Sequence, residues 1–551
     1  MGFSRRTRAL TAGVAVITAI SLASCGAGKK NNTKTSAPAS GGGSTSSTGG
    51  GKAITIGTTD VVTALDPAGS YDNGSLTLED NIYQFLMNVP AGAKAPQPDA
   101  AQQCSFTKPT EYTCTLKPNL KFSNGDPLTA EDVVFSFNRI NKINDPNGPA
   151  SLIGNMSSVA AKGADTVVFT LKNPNDQTWP FVLRTSAGPT VDHKIFPAAK
   201  LLPDANVIGS GPFALGSYNK NQLVSLKANP NYIGPNKAKT SQISIKYYTE
   251  SNNLKLDVQQ GAIDIAWRSL TPSDIGALKK DSGVKVLTGA GGELRYIVFN
   301  LKTMPGKTTA QKLAIRQAMA YSVDRKDLAQ NVFQGTFQPA YSMVPTGIAG
   351  ATTPFKDVYG DAPDKAKAKA KLDAAGVKTP VSVNIDYTTD HYGPTSSDEY
   401  NQIKRQLEAT GLFKVNINGT AYTTYRDERV KDTYGIYQLG WFPDFVDADN
   451  YLFNFLSDKN FVHAHYCDPG AKNRPCDTDK ITTALTTEET TPGQPRLDAL
   501  AQIQKTLATG TMPYLPLLSG NQVAVTHGNV TGVQDTLDPT YQFRMWLFSK
   551  S

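Results

Sequence analysis

The stretch FSNGDPLTAEDV, at residues 122–133, joins a tight turn to the start of a helix. Gly125 tolerates the positive φ that a tight turn needs, and Pro127 fixes the direction in which the chain leaves the turn. Thr129 is placed to cap a helix, because Asp132 follows three residues later and an apolar face comes next. We interpret the stretch as structural, since its residues meet the requirements of a turn and a cap, and not as a ligand-binding motif.

Strand-like and helix-like segments alternate on both sides of this stretch. Such alternation is typical of α/β architecture. The sequence predicts long helices over residues 313–333 and 364–375, and the lysines of the second alternate with alanines, as on a solvated surface. The clearest strand-like segments are residues 53–57, 166–171, 223–227 and 243–247.

The charge is distributed unevenly along the chain. With 551 residues the chain exceeds one comfortable core, so at least two lobes are expected. Its formal net charge of +8 first suggests an anionic partner such as nucleic acid. However, seven of the 55 basic residues and none of the 47 acidic ones lie in residues 1–52. The remaining chain is nearly neutral, so the charge gives no support for nucleic-acid binding.

Residues 1–24 have the layout of a secretory signal peptide. Basic residues precede an uncharged apolar run over residues 9–23, which is too short to span a bilayer. The Leu-Ala-Ser-Cys sequence that ends at Cys25 resembles a bacterial lipobox, which implies cleavage before Cys25 and a diacylglyceryl thioether on its sulfur. The alternative is an ordinary signal peptide with an incidental cysteine. Arg8 stands where twin-arginine signals usually carry an apolar residue, so the general secretory route is expected.

The Gly- and Ser-rich residues 25–52 predict a flexible tether that holds a folded body off the membrane. Outside the cytoplasm, the other four cysteines are expected to form two local disulfides, Cys104 with Cys114 and Cys467 with Cys476. The alternative for Cys467 is a metal site, because His-Ala-His-Tyr-Cys at residues 463–467 places three donors at alternating positions. We expect the disulfide, and no metal.

Four stretches together resemble one known family. They are residues 122–139, GSGPF at 209–213 with NPNY at 229–232, GAIDIAW at 261–267, and IRQAMAYSVDR at 315–325. In this order and spacing the chain resembles the extracytoplasmic solute-binding proteins of bacterial ABC importers, in the oligopeptide- and dipeptide-binding group (family 5). No single stretch, interpreted physically, predicts this function without the family.

The resemblance implies an α/β, two-lobed fold of the periplasmic-binding-protein type (class II). Lobe I would carry an extra subdomain, and the ligand cleft would lie between the lobes. The chain would cross into lobe II near residues 292–300 and return near Met512. The implied boundaries are 1–24 for the signal peptide, 25–52 for the lipidated tether, 53–95, 207–295 and 512–551 for lobe I, 96–206 for its extra subdomain, and 296–511 for lobe II.

The resemblance also implies a function without catalysis. The protein would capture short peptides between closing lobes at the extracytoplasmic face of the cell membrane and deliver them to an ABC permease. It would act as a lipid-anchored monomer without a cofactor.

The implied ligand residues surround Gly-Trp-Phe-Pro-Asp at residues 440–444. In peptide-binding members the aspartate of such a segment pairs with the α-ammonium of the peptide, and this role falls on Asp444. A buried ammonium needs an anionic acceptor. Trp441 would wall a side-chain pocket, and Gly440 would let the main chain of the ligand approach. Arg429 falls where some members place an arginine that faces the ligand carboxylate.

Several alternatives stay open at this point. Asp444 would otherwise cap a turn, and Arg429 would belong to a solvated surface. The same fold would otherwise bind an oligosaccharide, a metal chelate or haem, or serve as a sensor or adhesin lipoprotein. A secreted hydrolase has little support, because neither His-Glu-x-x-His nor Gly-x-Ser-x-Gly occurs. Residues 306–308, Gly-Lys-Thr, resemble the end of a P-loop, but Leu301 stands where its first glycine belongs.

Overall fold

Strands and helices alternate along the part of the chain that the computed structural model describes, residues 51–551 except positions 269, 394, 459, 461 and 463. The strands are β1 (Ile54–Thr58), β2 (Met87–Asn88), β3 (Gln97–Pro98), β4 (Ala101–Lys108), β5 (Glu111–Leu116), β6 (Met156–Lys162), β7 (Thr166–Leu171), β8 (Phe213–Asn219), β9 (Leu223–Ala228), β10 (Gln242–Tyr247), β11 (Ile265–Trp267), β12 (Val284–Phe299), β13 (Phe337–Pro339), β14 (Val381–Thr388), β15 (Phe413–Thr420), β16 (Ile436–Trp441), β17 (Tyr514–His527), β18 (Val530–Thr531) and β19 (Ser549–Lys550). The α-helices are α1 (Asn73–Ile82), α2 (Ala130–Ile143), α3 (Trp179–Val182), α4 (Ser251–Gln259), α5 (Pro272–Leu278), α6 (Thr309–Ser322), α7 (Arg325–Asp327), α8 (Pro354–Tyr359), α9 (Lys365–Ala374), α10 (Ser396–Ala409), α11 (Tyr422–Arg429), α12 (Phe453–Leu456), α13 (Pro475–Thr478), α14 (Ile481–Thr490) and α15 (Gln494–Thr509).

The four predicted strands correspond to β1, β7, β9 and β10, and the predicted helix at 364–375 corresponds to α9. The prediction of one helix over residues 313–333 was wrong. Helix α6 ends at Ser322, because the side chain of Asp324 accepts a hydrogen bond from the backbone N–H of Asp327 at 3.0 Å and starts the short helix α7. A π-helical turn, Leu328–Val332, then completes the segment.

The stretch at residues 122–133 has the structural role that the sequence predicts. Gly125 has a φ of 96°, and α2 starts after Thr129. Asp132 accepts hydrogen bonds from the backbone N–H and the hydroxyl of Thr129, at 2.8 and 3.0 Å. It also accepts from the backbone N–H of His193 at 3.1 Å, so the cap ties α2 to a distant segment.

One sheet of eleven strands runs through the molecule, in the order β15-β14-β16-β12-β17-β11-β1-β10-β9-β8, with β13 also paired to β17. Its centre is the long antiparallel pair β12–β17. The start of β12 lies opposite the end of β17, beside the strands of lobe I. The end of β12 pairs with β16 and belongs to lobe II. This pair therefore carries the chain between the two lobes.

Separate apolar cores define the lobes. One core contains residues from β12 to the start of β17, between Leu294 and Leu518, and forms lobe II. A second combines residues from β1, β10 and β11 with the C-terminal segment, and forms lobe I. A third packs helix α2 against the four-stranded sheet β4-β5-β7-β6 and forms the extra subdomain. The α/β two-lobed fold is thus confirmed, whereas the boundaries given above stay predictions.

The β12–β17 ladder is irregular where it passes between the lobes. Its register shifts between Ala290 and Leu294. A Cβ atom on Gly291 would lie 2.3 Å from the carbonyl oxygen of Gly520, so only glycine lets the two strands approach this closely. The irregularity turns the charged residue that follows, Glu293, toward a cavity between the lobes.

Both expected disulfides are formed, Cys104–Cys114 across directly paired residues of β4 and β5, and Cys467–Cys476 in lobe II. None of the helices in the described part of the chain combines the length and the apolar character needed to cross a bilayer. The predicted signal peptide, Cys25 and the tether up to residue 50 lie outside the described residues.

Candidate ligand-binding cleft

A cavity of about 360 Å³ lies between the lobes. Lobe I contributes Arg268 and α5, and the C-terminal segment contributes Tyr541. Lobe II contributes aromatic residues that include Phe337 and Tyr392, and β12 contributes Glu293. A ligand in this cavity would touch both lobes at once, which is the arrangement that couples binding to lobe closure.

Buried charges of both signs meet on the β12 side of the cavity. The guanidinium of Arg295 forms ion pairs with Glu293 at 3.1 Å and with Glu399 at 3.3 Å. Burial raises the pKa of Glu293, although Arg295 and Arg268 oppose the rise. Burial also raises the pKa of Glu399 to about 7, again against the effect of Arg295. One guanidinium thus serves two carboxyl groups, and the second of them is protonated over part of the physiological pH range.

Arg268 brings a second guanidinium to the cavity. Its backbone has a φ of 64°, the left-handed region that residues other than glycine rarely adopt. Its Nε atom lies 3.3 Å from the carboxylate of Asp60, and its guanidinium lies over the rings of Trp267 and Tyr541, 5.6 and 5.7 Å from their centroids. A strained backbone conformation at a cavity wall is typical of residues that serve a binding function.

Aromatic rings form the lobe II wall. The rings of Phe333 and Phe337 pack with their centroids 4.4 Å apart, and the guanidinium of Arg295 lies over both. The ring of His391 stacks on that of Tyr422 with the centroids 3.6 Å apart, and partial desolvation lowers the pKa of its imidazole. The wall therefore offers apolar ring surface for ligand side chains.

Asp444 lies at the interface of the lobes. Its carboxylate accepts hydrogen bonds from the hydroxyl of Tyr71, in the segment that precedes α1, and from the Nδ2 of Asn450 at 3.1 Å. The next residue, Phe445, packs on Phe181 of the extra subdomain at 6.0 Å. Burial raises the pKa of Asp444, while the hydrogen bonds from Tyr71 and Asn450 oppose the rise. Asp444 lines a separate small cavity of about 20 Å³, and Phe442 of the same segment lines the larger one.

Trp441 and Gly440 face lobe II. The indole Nε1 of Trp441 donates to Asn450 at 3.0 Å, and the ring packs edge-on against Phe455 at 5.2 Å. A Cβ atom on Gly440 would lie 2.7 Å from the ring of Tyr392, whose hydroxyl donates to the Gly440 carbonyl at 3.3 Å. In this structure the glycine accommodates a cavity-lining tyrosine.

Arg429 ends helix α11 with 8% of its surface exposed, so the alternative of a solvated surface is wrong. Burial raises the pKa of the nearby Tyr296 and Tyr437 hydroxyls, and the charge of Arg429 opposes both shifts. Arg429 is not among the described residues that line the 360 Å³ cavity; the arginines in that lining are Arg268 and Arg295.

Sequence reasoning missed Arg268, Glu293 and Arg295. A signal for two of them was present, because charged residues within the predicted crossing at 292–300 had to lie between the lobes. No signal of this kind marks Arg268, whose role depends on its backbone conformation.

Two groups of residues have metal-binding composition. Cys467 is bonded to Cys476 and cannot act as a thiolate ligand, and position 463 lies outside the described residues. Asp132, Asp192 and His193 each place one donor atom within 4.8 Å of the others. Asp132 already serves the cap of α2 and forms a hydrogen bond of 2.7 Å with the imidazole of His193. Asp192 accepts a hydrogen bond from the backbone N–H of Lys194 at 2.9 Å.

Comparison with known proteins places the chain in a family. Residues 95–462 match the family model of the bacterial extracellular solute-binding proteins, family 5 (middle region). A probable D,D-dipeptide-binding periplasmic protein of Escherichia coli is 30% identical over 422 residues, covering 74% of this chain and 78% of that protein.

Solved structures share the fold. HbpA2 from Haemophilus parasuis superimposes with a TM-score of 0.77 at 20% identity, covering 91% of this chain and all (100%) of that one. A dipeptide-binding protein of Pseudoalteromonas sp. SM9913, in complex with Met-Leu, gives a TM-score of 0.70 at 18% identity over the same 91% of this chain. The chain belongs to the family 5 bacterial extracellular solute-binding proteins, which serve ABC transporters.

Proposed function

We propose that this protein captures short peptides between its lobes and delivers them to the permease of an ABC importer. The observation that carries the proposal is a half-buried carboxylate, Asp444, held at the lobe interface by a hydroxyl from the opposite lobe. Two similar proteins, one named a probable D,D-dipeptide-binding protein and one crystallised with Met-Leu, support a peptide as the ligand.

Asp444 is proposed to receive the α-ammonium of the peptide. Its carboxylate already accepts hydrogen bonds, and burial makes its negative charge costly. A ligand ammonium would replace the hydroxyl of Tyr71 as donor and would bring a positive charge to this half-buried carboxylate. Trp441 and Gly440 would border the same end of the ligand, as the family resemblance implies.

The carboxylate end of the peptide has two candidate partners. The family resemblance assigns Arg429, which lies buried in lobe II. Arg268 lines the cavity itself, and its Nε lies 3.3 Å from the carboxylate of Asp60. We therefore propose Arg268 as the partner, because a guanidinium in the cavity wall reaches a ligand without rearrangement of the lobe II core.

Lobe closure follows from this arrangement. A peptide that binds Asp444 and Arg268 together contacts both lobes, so it stabilises the closed form by the difference in its affinity for the closed and open forms. The closed form would then dock on the permease. The lipid on Cys25 and the tether would keep the protein at the membrane surface.

Native mass spectrometry of the purified mature protein tests the class of ligand. We expect mass increments of co-purified peptides, which a mixture of di- to pentapeptides exchanges and an equal mixture of oligosaccharides does not. Binding of the oligosaccharides, or of a metal chelate or haem, in place of every peptide would contradict the proposal.

A further inference from the structure

Lobe II contains a second cavity, of about 460 Å³, which shares no lining residue with the cavity between the lobes. It lies where the segment after β12 enters helix α6. No acidic residue appears among the described residues that line it. Its lining includes five basic side chains, those of Lys302, Lys307, Lys312, Arg316 and His465.

Three of these cations lack a carboxylate partner. Among the described residues, no acid lies within 4.0 Å of the charged groups of Lys307, Lys312 or Arg316. Lys312 instead donates to the carbonyl oxygens of Leu301 and Lys302, at 2.7 and 2.9 Å. These contacts fix the position of the ammonium group at the cavity wall and leave its charge unneutralised.

Arg316 provides the strongest indication of a ligand. Its side chain is buried, with 1% of the residue exposed, and its Nη2 donates to the carbonyl oxygen of Thr511 at 2.7 Å. Its Nε is buried without a hydrogen-bond partner in the described part of the chain. Burial lowers the pKa of Arg316 to about 10, and both burial and Arg316 lower the pKa of Lys312. The charge of Asp479 opposes this fall in the pKa of Arg316, but Asp479 forms no ion pair with it within 4.0 Å among the described residues. Burying this guanidinium is costly, and an anion in the cavity would reduce that cost.

The start of α6 adds to the positive electrostatic potential in this cavity. Thr308 caps the helix by accepting from the backbone N–H of Gln311 at 3.2 Å, and Thr309 begins it. Both residues line the cavity. The first amide groups of a helix have no intrahelical acceptor and carry partial positive charge, so they favour an anion at this position.

The two remaining basic side chains already have acidic partners. Lys302 and His465 share the carboxylate of Asp432, at 2.8 and 2.7 Å, and His465 also contacts Asp468 at 2.5 Å. Although burial opposes the shift, hydrogen bonds from Lys302 and His465 lower the pKa of Asp432 to about 2. This network holds one rim of the cavity in place, while Lys307, Lys312 and Arg316 provide the excess charge.

We propose that this cavity of lobe II is a binding site for a phosphate group, held by Lys307, Lys312 and the start of α6. The phosphate of a lipid headgroup and free inorganic phosphate share this chemistry. Several cations and a helix start suit a compact dianion better than a single carboxylate.

Calorimetric titration of the purified mature protein with inorganic phosphate, in a low-salt buffer free of other oxyanions, tests the site. We expect saturable binding that Lys307→Glu weakens by about tenfold or more, because this exposed side chain reverses its charge beside the anion. Lys365→Glu on α9 is the matched control, since Lys365 is also exposed and lies outside the cavity. It should change the dissociation constant by less than about twofold.

A second variant, Lys312→Met, removes a charge without reversing it and should also weaken binding, with circular dichroism confirming that the variant is folded. A parallel titration with glycerol 3-phosphate distinguishes the sources: binding at least as tight as that of inorganic phosphate indicates a lipid headgroup, and weaker binding indicates the free ion. Absence of saturable phosphate binding, or equal weakening by Lys307→Glu and Lys365→Glu, would overturn the proposal.

Discussion

At the scale of single residues, the contact between Tyr71 and Asp444 is the most informative. The hydroxyl donates to a carboxylate across the lobe interface, although Tyr71 is 43% exposed. If a ligand ammonium takes the place of this hydroxyl, binding must first break that hydrogen bond. Tyr71 is then a competitor of the ligand for the same acceptor.

Tyr71→Phe should therefore strengthen binding of peptides with a free amino terminus. The gain should be about two- to tenfold, the range expected for one hydrogen bond that no longer has to be broken. Calorimetry with one dipeptide on wild type and variant measures it, and an N-acetylated dipeptide should show no gain. Weaker binding of the free dipeptide by Tyr71→Phe would indicate instead that the hydroxyl contacts the ligand.

Arg268 and Arg429 are alternative partners for the carboxylate of the peptide, and substitutions at the two positions distinguish them. Arg268→Lys should weaken binding of a free peptide by about tenfold, because lysine cannot form the paired hydrogen bonds of a guanidinium. The same variant should leave binding of a C-amidated peptide nearly unchanged. Arg429→Lys is the comparison variant: if it alone abolishes the preference for the free carboxylate, the family-based assignment is correct and Arg268 is not the partner.

At the scale of elements, α10 places Glu399 against the β12 strand. Its carboxyl group has a pKa of about 7 in the folded protein because it is buried, with Arg295 only partly offsetting burial. The folded protein therefore holds a proton that the unfolded chain releases near pH 4.5, the ordinary pKa of a glutamate side chain. The resulting stabilisation is present at low pH and is lost as the pH rises through about 7.

Glu399→Gln should make the free energy of unfolding less dependent on pH between about 5 and 8, by about 2 to 3 kcal/mol across that window. Urea denaturation at several pH values measures the effect. Asp398→Asn, at an exposed position of the same helix, is the control and should retain the slope of the wild type. A Glu399→Gln profile parallel to that of the wild type would show that this carboxyl group does not titrate in the window.

Local patterns predicted the elements better than their connections. Period-two alternation gave β10, and the Thr129–Asp132 cap gave the start of α2. The helix predicted over 313–333 was wrong because a cap at Asp324 restarts the chain inside an apolar pattern that looks continuous. The cavity residues Arg268 and Glu293 were missed, since their positions depend on a left-handed backbone and on a register shift between strands far apart in sequence.

At the scale of the whole molecule, one sheet continues through both lobes by way of β12 and β17. If the lobes close on a ligand as proposed, we expect the change to be absorbed where that ladder is irregular, between Ala290 and Leu294. Glu293 lies within this segment and lines the cavity. The lining of the proposed ligand cavity therefore includes part of a strand that crosses between the lobes, an arrangement that suits a protein that closes on its ligand.

Attachment of the whole protein to the membrane is predicted to depend on the lipid at Cys25. Cys25→Ser should release the protein from the membrane fraction into the soluble fraction of the producing bacterium, because the lipid on Cys25 is the predicted anchor. Metabolic labelling with radioactive palmitate should mark the wild type and not the variant. Labelling of Cys25→Ser to the same extent would contradict lipidation at this cysteine.

The central claim is that the cleft recognises a peptide by pairing its α-ammonium with Asp444. Calorimetry of the mature protein with matched di- to pentapeptides, free and N-acetylated, tests it most directly. We predict that acetylation weakens binding by about 100-fold, since it removes the counter-ion of a half-buried carboxylate at the lobe interface. Asp444→Asn should reduce the difference to a few-fold. Equal affinity of the wild type for free and acetylated peptides would contradict the account.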